Sequence, residues 1–401
     1  MNNNSANLKI LIIAHNQIYT GPYHKILELC QAVANQGNQV TLLCTSQDNR
    51  TGFKKYQLNG IEIAESPDLL KGRLRQGVDP WNAVQRILYL RHQQYDIIHA
   101  IDSRPVVILP ALWLKRKLGI PLVLSWWDWY GRGGTAVERS GKFYATTFGV
   151  VETFFEEFFR SYADSATVIT TALKSRLESL NYPSDKIEIH RVGCNARQTK
   201  IINKKLALAQ LGLENSRPLF CFLGTLFDSD KDLLLNALKL VKSNHNTMPH
   251  TILIGNHKID SQIKEQLSIQ VTGYLESLDL VYQFLFAADY ALLPMKISIA
   301  NLARWPSKIT DYWAAGLPVV STPISDFEQM FQNNKLGVLA EGDSVEAYAG
   351  ALDRALTLSK SERKNMSICA RRFAESELDW DILSKRLLDL YRKTIQQKNA
   401  K

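Results

Sequence analysis

Short runs of uninterrupted apolar residues alternate with helix-periodic stretches along this chain, and no other feature limits its fold as strongly. Lys9–His15 (KILIIAH) is a continuous run, as a parallel strand buried on both faces requires. A polar loop with Gly21 and Pro22 follows, and then Ile26, Leu29, Cys30 and Val33 recur at helical spacing until Gly37. Gln39–Thr45, Asp96–Ala100, Leu122–Trp127, Ala166–Ile169 and Ile187–Val192 continue the strand series, with a helix at Val106–Leu118. The pattern restarts after a helical stretch at Lys204–Leu211. Strands at Leu219–Gly224, Thr251–Gly255, Tyr290–Met295 and Val319–Thr322 then alternate with helices at Lys231–Lys242, Leu278–Phe286, Ser307–Ala315 and Val345–Leu358. Repetition of this kind builds parallel sheets covered by helices on both faces. The expectation is an α/β chain of two tandem, doubly wound, Rossmann-like domains facing across a cleft, residues 1–200 and 201–377, with a closing helix over 378–397. A length of 401 residues agrees, because single cores rarely grow past ~250–300 residues.

Composition narrows the functional classes. No window approaches the ~18 apolar residues of a membrane span, and the first residues do not read as a signal peptide. The net charge is +9, divided almost evenly between the two halves, with no basic tail or block. That argues against nucleic acid and suits an anionic small substrate or an anionic membrane surface. Five cysteines are scattered and never spaced C-x-x-C, which reads as a reduced, cytoplasmic chain without a metal site. Lys71–Arg75 and Lys115–Lys117 are the basic clusters best suited to lipid headgroups. Phe148–Tyr162 (FGVVETFFEEFFRSY) is a helix expected to turn Val151, Phe155, Phe158 and Tyr162 to the core and to leave Glu156 and Arg160 as a solvent-side pair.

Three segments carry chemistry. In Asn301–Gly316 (NLARWPSKITDYWAAG), Pro306 is expected at the first helical position and Gly316 at the stop. Arg304 and Lys308 stand where cations oppose the helix dipole, an arrangement that makes sense if an anion occupies the helix start. Asp311, on the same face as Lys308, suits a pair of ribose hydroxyls. Gly224–Lys231 (GTLFDSDK) closes a strand with a glycine and opens a helix with a lysine, so Lys231 and Lys308 together suit a diphosphate. Ser125–Gly134 (SWWDWYGRGG) sets Asp128 between Trp127 and Trp129 beside Arg132, aromatic walls and a carboxylate that suit a sugar acceptor. The loop at Gly21 lacks the G-x-G-x-x-G of a dinucleotide site, which argues against nicotinamide and flavin enzymes. His15 and His99 end strands and read as structural.

Taken in order, these segments resemble nucleotide-sugar glycosyltransferases of the two-domain GT-B fold, the retaining family four. The likeness rests on the Gly21 loop, the Gly224–Lys231 spacing, Gly273–Tyr274, Ala288–Pro294 (ADYALLP) and the stretch leading into Gly316–Val320 (GLPVV). It implies sugar transfer from a nucleoside diphosphate to an acceptor hydroxyl, with retention, without metal and with no cofactor beyond the donor. Asp128, Lys231 and Lys308 would be catalytic. Gly21, Gly224, Thr225, Gly273, Tyr274, Asn301, Arg304 and Asp311 would hold the donor, and Trp127, Trp129 and Arg132 the acceptor. A sugar, lipid-linked or small-molecule acceptor is allowed, and with it peripheral membrane association. The chain departs from the family where Thr225 replaces an arginine, where Ala303 and Asp311 replace paired glutamates, and where Trp127 precedes Asp128 in place of histidine. Arg304 is assigned the missing arginine's role. The alternatives are an inactive sugar-nucleotide-binding protein and a GT-B-like epimerase.

Overall fold

A computed structural model describes residues 7–17, 24–70, 77–135, 146–214, 216–244 and 248–400. The chain divides into two compact units: residues 1–193 with 303–305 and 380–401, and residues 194–302 with 306–379. Among the described residues no helix is long and apolar enough to cross a membrane.

The first unit holds one eight-stranded sheet. Its strands are β1 (Lys9–Ile13), β2 (Gln39–Thr45), β3 (Lys54–Leu58), β4 (Ile61–Ser66), β5 (Ile97–Ile101), β6 (Leu122–Trp126), β7 (Ser165–Val168) and β8 (Ile187–Ile189). The order is β3-β4-β2-β1-β5-β6-β7-β8, parallel throughout except for the β3–β4 hairpin. Its helices are α1 (His24–Asn35), α2 (Pro80–Leu90), α3 (Pro105–Leu118), α4 (Phe148–Phe158) and α5 (Thr171–Ser179). The chain runs outward from β1 through β2 and then returns to β5 on the other side, so the switch point of the sheet lies between β1 and β5. Ligands of doubly wound sheets bind at the carboxyl ends of strands around such a point. Arg86 of α2, fully buried, stiffens that end: it donates to the carbonyls of Ala14 and Val106 and to the hydroxyls of Ser66 and Thr45.

The second unit carries helices α6 (Lys204–Leu211), α7 (Asp228–Asn244), α8 (Ser261–Gln266), α9 (Leu278–Ala287), α10 (Ile299–Ala303), α11 (Lys308–Ala314), α12 (Phe327–Asn334), α13 (Val345–Thr357) and α14 (Lys360–Phe373), although Ala303 itself groups with the first unit. Its six strands are β9 (Leu219–Leu223), β10 (His250–Ile254), β11 (Ile269–Val271), β12 (Tyr290–Leu293), β13 (Val319–Ser321) and β14 (Gly337–Leu339), all parallel in the order β11-β10-β9-β12-β13-β14. Here the switch point lies between β9 and β12. Phe220, Phe222, Leu234, Leu238, Tyr290 and Tyr348 pack the core between the sheet and α7 and α13. The last helix, α15 (Trp380–Asn399), belongs to the first unit, where Trp380 donates its indole N–H to Glu28 and Tyr391 meets His99.

The helix expected to bury its phenylalanines is turned the other way. Glu152, Glu156 and Arg160 are buried, while Val151, Phe158 and Tyr162 of the expected core face point outward with Phe154, and Phe155 alone of that face is half-buried. The helical period is right and its phase is reversed, because the inward side chains find charged and hydrogen-bonding partners at the end of the first sheet. A smaller difference concerns Pro306: the helix begins at Lys308 with Ser307 as its cap, and Pro306 instead accepts the amide of Ile309 in a tighter turn. Gly316 does end that helix, at φ +68°.

Candidate functional site

In the first unit the switch point gathers a carboxylate-rich loop. β5 is followed by Asp102, a buried non-glycine residue at φ +63° that accepts the amide of Trp127 at 3.0 Å. Burial pushes its carboxyl up to about 7, helped by the charge of Asp128 and opposed by the Trp127 amide and by Arg160 and Arg104. After β6 the chain turns sharply through Trp127–Gly131, and Glu156 of α4 organises the turn from beneath. One oxygen of Glu156 accepts Trp126 Nε1 at 3.0 Å and the Tyr130 amide at 2.8 Å, and the other accepts the Gly131 amide at 2.6 Å. A side chain at residue 131 would place its Cβ 2.5 Å from Glu156, so glycine is required there. Arg160 lies 3.8 Å over the Trp126 ring, Arg104 lies 4.3 Å over the Tyr130 ring, and Arg104 pairs with Glu152 at 2.5 Å.

Asp128 emerges from this buried support. Its carboxylate is about one-third exposed, accepts the Tyr130 hydroxyl at 3.3 Å and lies 3.5 Å from Arg304 Nε. Trp129 donates its indole N–H to the carbonyl of Arg132 and lies beneath Arg176, while the Arg132 side chain is exposed. Trp127 is half-buried. Of the two histidines, His15 is buried edge-on to Tyr130. His99 bridges Ser125 and Tyr391 at 2.5 Å each, and burial lowers its pKa to about 3, so it is a neutral structural group.

In the second unit Gly224 follows β9 at φ +90°, a conformation that glycine adopts without cost. Tyr312 of α11 accepts the amide of Leu223 through its hydroxyl at 2.8 Å and is fully buried, which docks the helix on the strand end. Lys308, one turn earlier on the same face, is thereby laid across that end. Its ammonium is 3.9 Å from the Phe222 ring centroid and 3.4 Å from the Thr225 carbonyl, and a Cβ at Gly224 would stand 3.7 Å from it. His257 completes the cluster. It lies edge-on to Phe222, and burial lowers its pKa, opposed by the Ile254 carbonyl and assisted by the charges of Lys308 and Lys231. His257 belongs to no motif in the sequence, and a lone histidine after a strand end offers no signal of this placement.

The other expected residues have varied surroundings. Lys231 pairs with the exposed Asp228 at 2.7 Å. Asp311 accepts the hydroxyl of Tyr282 at 3.4 Å. Asn301 closes its own loop by donating to the carbonyl of Lys296, whose amide is held by Asp230 at the start of α7. Gly273 (φ +75°) brings Tyr274 to Asn256, which accepts the Tyr274 amide at 3.0 Å, and the tyrosine ring is left 75% exposed. Arg304 groups with the first unit and meets Asp128 there. Gly21 and Lys71–Arg75 lie outside the described residues. Among the described residues no three His, Cys, Asp or Glu side chains are grouped to hold a metal.

Comparison with known proteins addresses both units. Residues 20–193 match the "Glycosyl transferase 4-like domain" family, and residues 217–357 match "Glycosyl transferases group 1". A glycogen synthase of Flavobacterium johnsoniae is 26% identical over 243 residues, 57% of this chain and 48% of the relative. An amylovoran biosynthesis glycosyltransferase of Erwinia amylovora is 23% identical over 232 residues, 55% and 54% of the two chains. The matches thus span about half the length of these curated relatives. Among solved structures, sucrose-phosphate synthase from Thermosynechococcus elongatus superposes with a TM-score of 0.75 at 14% identity, over 97% of this chain and 99% of that one. Anabaena HepE in complex with UDP-glucose superposes with a TM-score of 0.67 at 12% identity, over 96% and 100%. At such identities the likeness establishes the fold, which is GT-B.

Proposed function

The chain belongs to the group 1 glycosyltransferases, and on that premise we propose that it transfers a sugar from a nucleoside-diphosphate sugar to an acceptor hydroxyl, with retention at the anomeric carbon and without a bound metal. The observation that carries this reading is Lys308, held over the carboxyl end of β9 by the docking of Tyr312 on Leu223. A cation fixed beside a glycine at a switch point suits a diphosphate. Among the fold neighbours, HepE is described in complex with UDP-glucose and a starch synthase as bound to ADP, which supports the same ligand class.

In this reading Gly224 and Thr225 let the backbone approach the diphosphate, and Lys308 contacts it. Lys231 exchanges its exposed partner Asp228 for a phosphate oxygen. Negative charge grows on the departing diphosphate as the sugar–oxygen bond breaks, and fixed cations stabilise that charge most at the transition state. Tyr274 flanks the base, Asp311 receives the ribose hydroxyls, and Asn301 and Gly273 hold the loops around them. In the first unit Asp128 orients the acceptor hydroxyl between Trp127 and Trp129, with Arg132 and Arg304 at the rim. Retention rests on the family resemblance.

The test is nucleotide binding without metal. A nucleoside diphosphate at a hundred times its dissociation constant should stabilise the wild type by ~2.7 kcal/mol, and Lys308→Ala should cut the shift at the same concentration to about 0.4–1.4 kcal/mol. A panel of diphosphates that shifts neither protein would remove the reading.

A further inference from the structure

The reversed helix α4 presents to solvent a face without charge. Phe148, Val150, Val151, Phe154 and Phe158 are each about half exposed or more (48–60%), and Tyr162 just beyond the helix is 36% exposed. Phe154 and Phe158 stack at 5.0 Å between centroids, and Phe158 continues onto Tyr162 at 5.7 Å, so the rings form one strip. Thr146, Thr147 and Ser161 fill the remaining exposed positions, while all three ionic residues of the segment that lie on the inner face, Glu152, Glu156 and Arg160, are buried. Glu157 at the margin is paired with Arg176. A strip of this size is not an ordinary scatter of surface apolar groups.

The strip ends against cations. Arg116, near the end of α3, lies 5.1 Å over the Tyr162 ring, and Lys117 beside it is exposed. Among the described residues no carboxylate pairs with either one, whereas Lys115 is spent on Asp164 at 2.6 Å and on the carbonyl of Tyr162. An uncharged aromatic face bordered by unneutralised cations complements a surface that is apolar within and anionic at its boundary. A second protein surface would need an apolar patch of matching shape, and the rings themselves offer no polar group to fix its register, the hydroxyls of Thr146, Thr147, Ser161 and Tyr162 lying at the ends of the strip. We propose that the outer face of α4, with Tyr162, Arg116 and Lys117, is a docking surface for an anionic lipid bilayer, the rings entering the acyl boundary and the cations meeting the headgroups. The inference is independent of the donor reading, since it uses neither Lys308 nor any other residue of the second unit.

Flotation of the whole chain with lipid vesicles tests it. The wild type should float at low salt with vesicles of phosphatidylcholine and phosphatidylglycerol, and far less with phosphatidylcholine alone. Phe154→Ser with Phe158→Ser should weaken partition by at least ~tenfold, from the apolar area that two half-exposed rings bury. Arg116→Gln with Lys117→Gln should weaken it by roughly thirtyfold on anionic vesicles only. Thermal stability matching that of the wild type confirms that each variant is folded. Failure of the wild type to float, or equal flotation on neutral vesicles, would overturn the proposal. So would a concentration-dependent dimer, seen by sedimentation without lipid, that the two serines abolish. Nucleotide binding by the wild type is scored separately, so a failed donor site and a failed membrane surface give different results.

Discussion

Replacing Glu156 by glutamine changes one atom and removes the support of the acceptor-side loop. The carboxylate accepts three N–H groups, two on one oxygen and one on the other, and it is fully buried with the Arg160 charge nearby. Glutamine can keep an oxygen toward Trp126 and Tyr130, but its amide nitrogen then meets the amide of Gly131, donor against donor. Leaving that buried pair unsatisfied costs about 1–3 kcal/mol. Arg160, whose pKa burial has already lowered to about 10, also loses the carboxylate charge that supports it most, and leaving a buried charge without that compensation costs about 3–5 kcal/mol. The expected total is about 4–8 kcal/mol, a large part of the ~5–15 kcal/mol by which a domain is stable. Urea unfolding followed by tryptophan fluorescence measures it, with Glu157→Gln as the control. Glu157 forms a partly exposed pair with Arg176, so that variant should change stability by ~1 kcal/mol or less. If Glu156→Gln and Glu157→Gln behaved alike, the carboxylate would not be carrying the loop, and the reasoning from the buried face of α4 would fail.

Asp102 should impose a pH dependence of known sign. Its folded pKa of about 7 lies above the unfolded value, so the folded protein holds the proton more tightly, and stability is lost as pH rises from about 4 to 7. Asparagine tolerates the left-handed backbone and still accepts the Trp127 amide, so Asp102→Asn should remove that slope and stabilise the protein at pH 8 by roughly 2–4 kcal/mol. An unchanged slope in urea titrations across this range would contradict the assignment. Gly134→Ala should destabilise the acceptor-side loop, because its Cβ would stand 2.1 Å from the Trp129 carbonyl, and overpacking of this kind costs about 1–3 kcal/mol. Faster proteolytic cutting of that loop, with nucleotide stabilisation retained, is the expected pair of observations.

Much of the architecture was legible because buried parallel strands announce themselves. Gln39–Thr45 and Lys204–Leu211 agree with the structure to the residue, and β1, β5, β6, β9 and β12 to within one or two at their ends. The β3–β4 hairpin was overlooked although Asn59–Gly60, both at positive φ, is a strong turn signal between alternating strands. β11 and β14 are three residues each, too short for periodicity to register. The instructive failure is the phase of α4, and α2 has the same arrangement. In α2 the exposed Trp81, Val84 and Leu88 advertise an apolar face, while Asn82 and Arg86 are buried beneath. Periodicity gives the helix but does not say which face points inward when the inward groups are charged and paired through space. Of the candidate site, strand-end glycines and the lysine at 308 could be read because their spacing is local. His257 and Glu156 could not, since each acts on residues brought near only by the sheet.

The donor cradle at β9 carries the proposed transfer. Calorimetric titration of uridine, adenosine and guanosine diphosphates into the metal-free wild type and into Lys308→Ala tests it in one experiment. One diphosphate should bind the wild type, and the variant should bind it about 10–100-fold more weakly, the loss of one charge-assisted contact. Equal binding by both proteins, or no binding by either, would contradict the claim that Lys308 at the end of β9 holds the diphosphate.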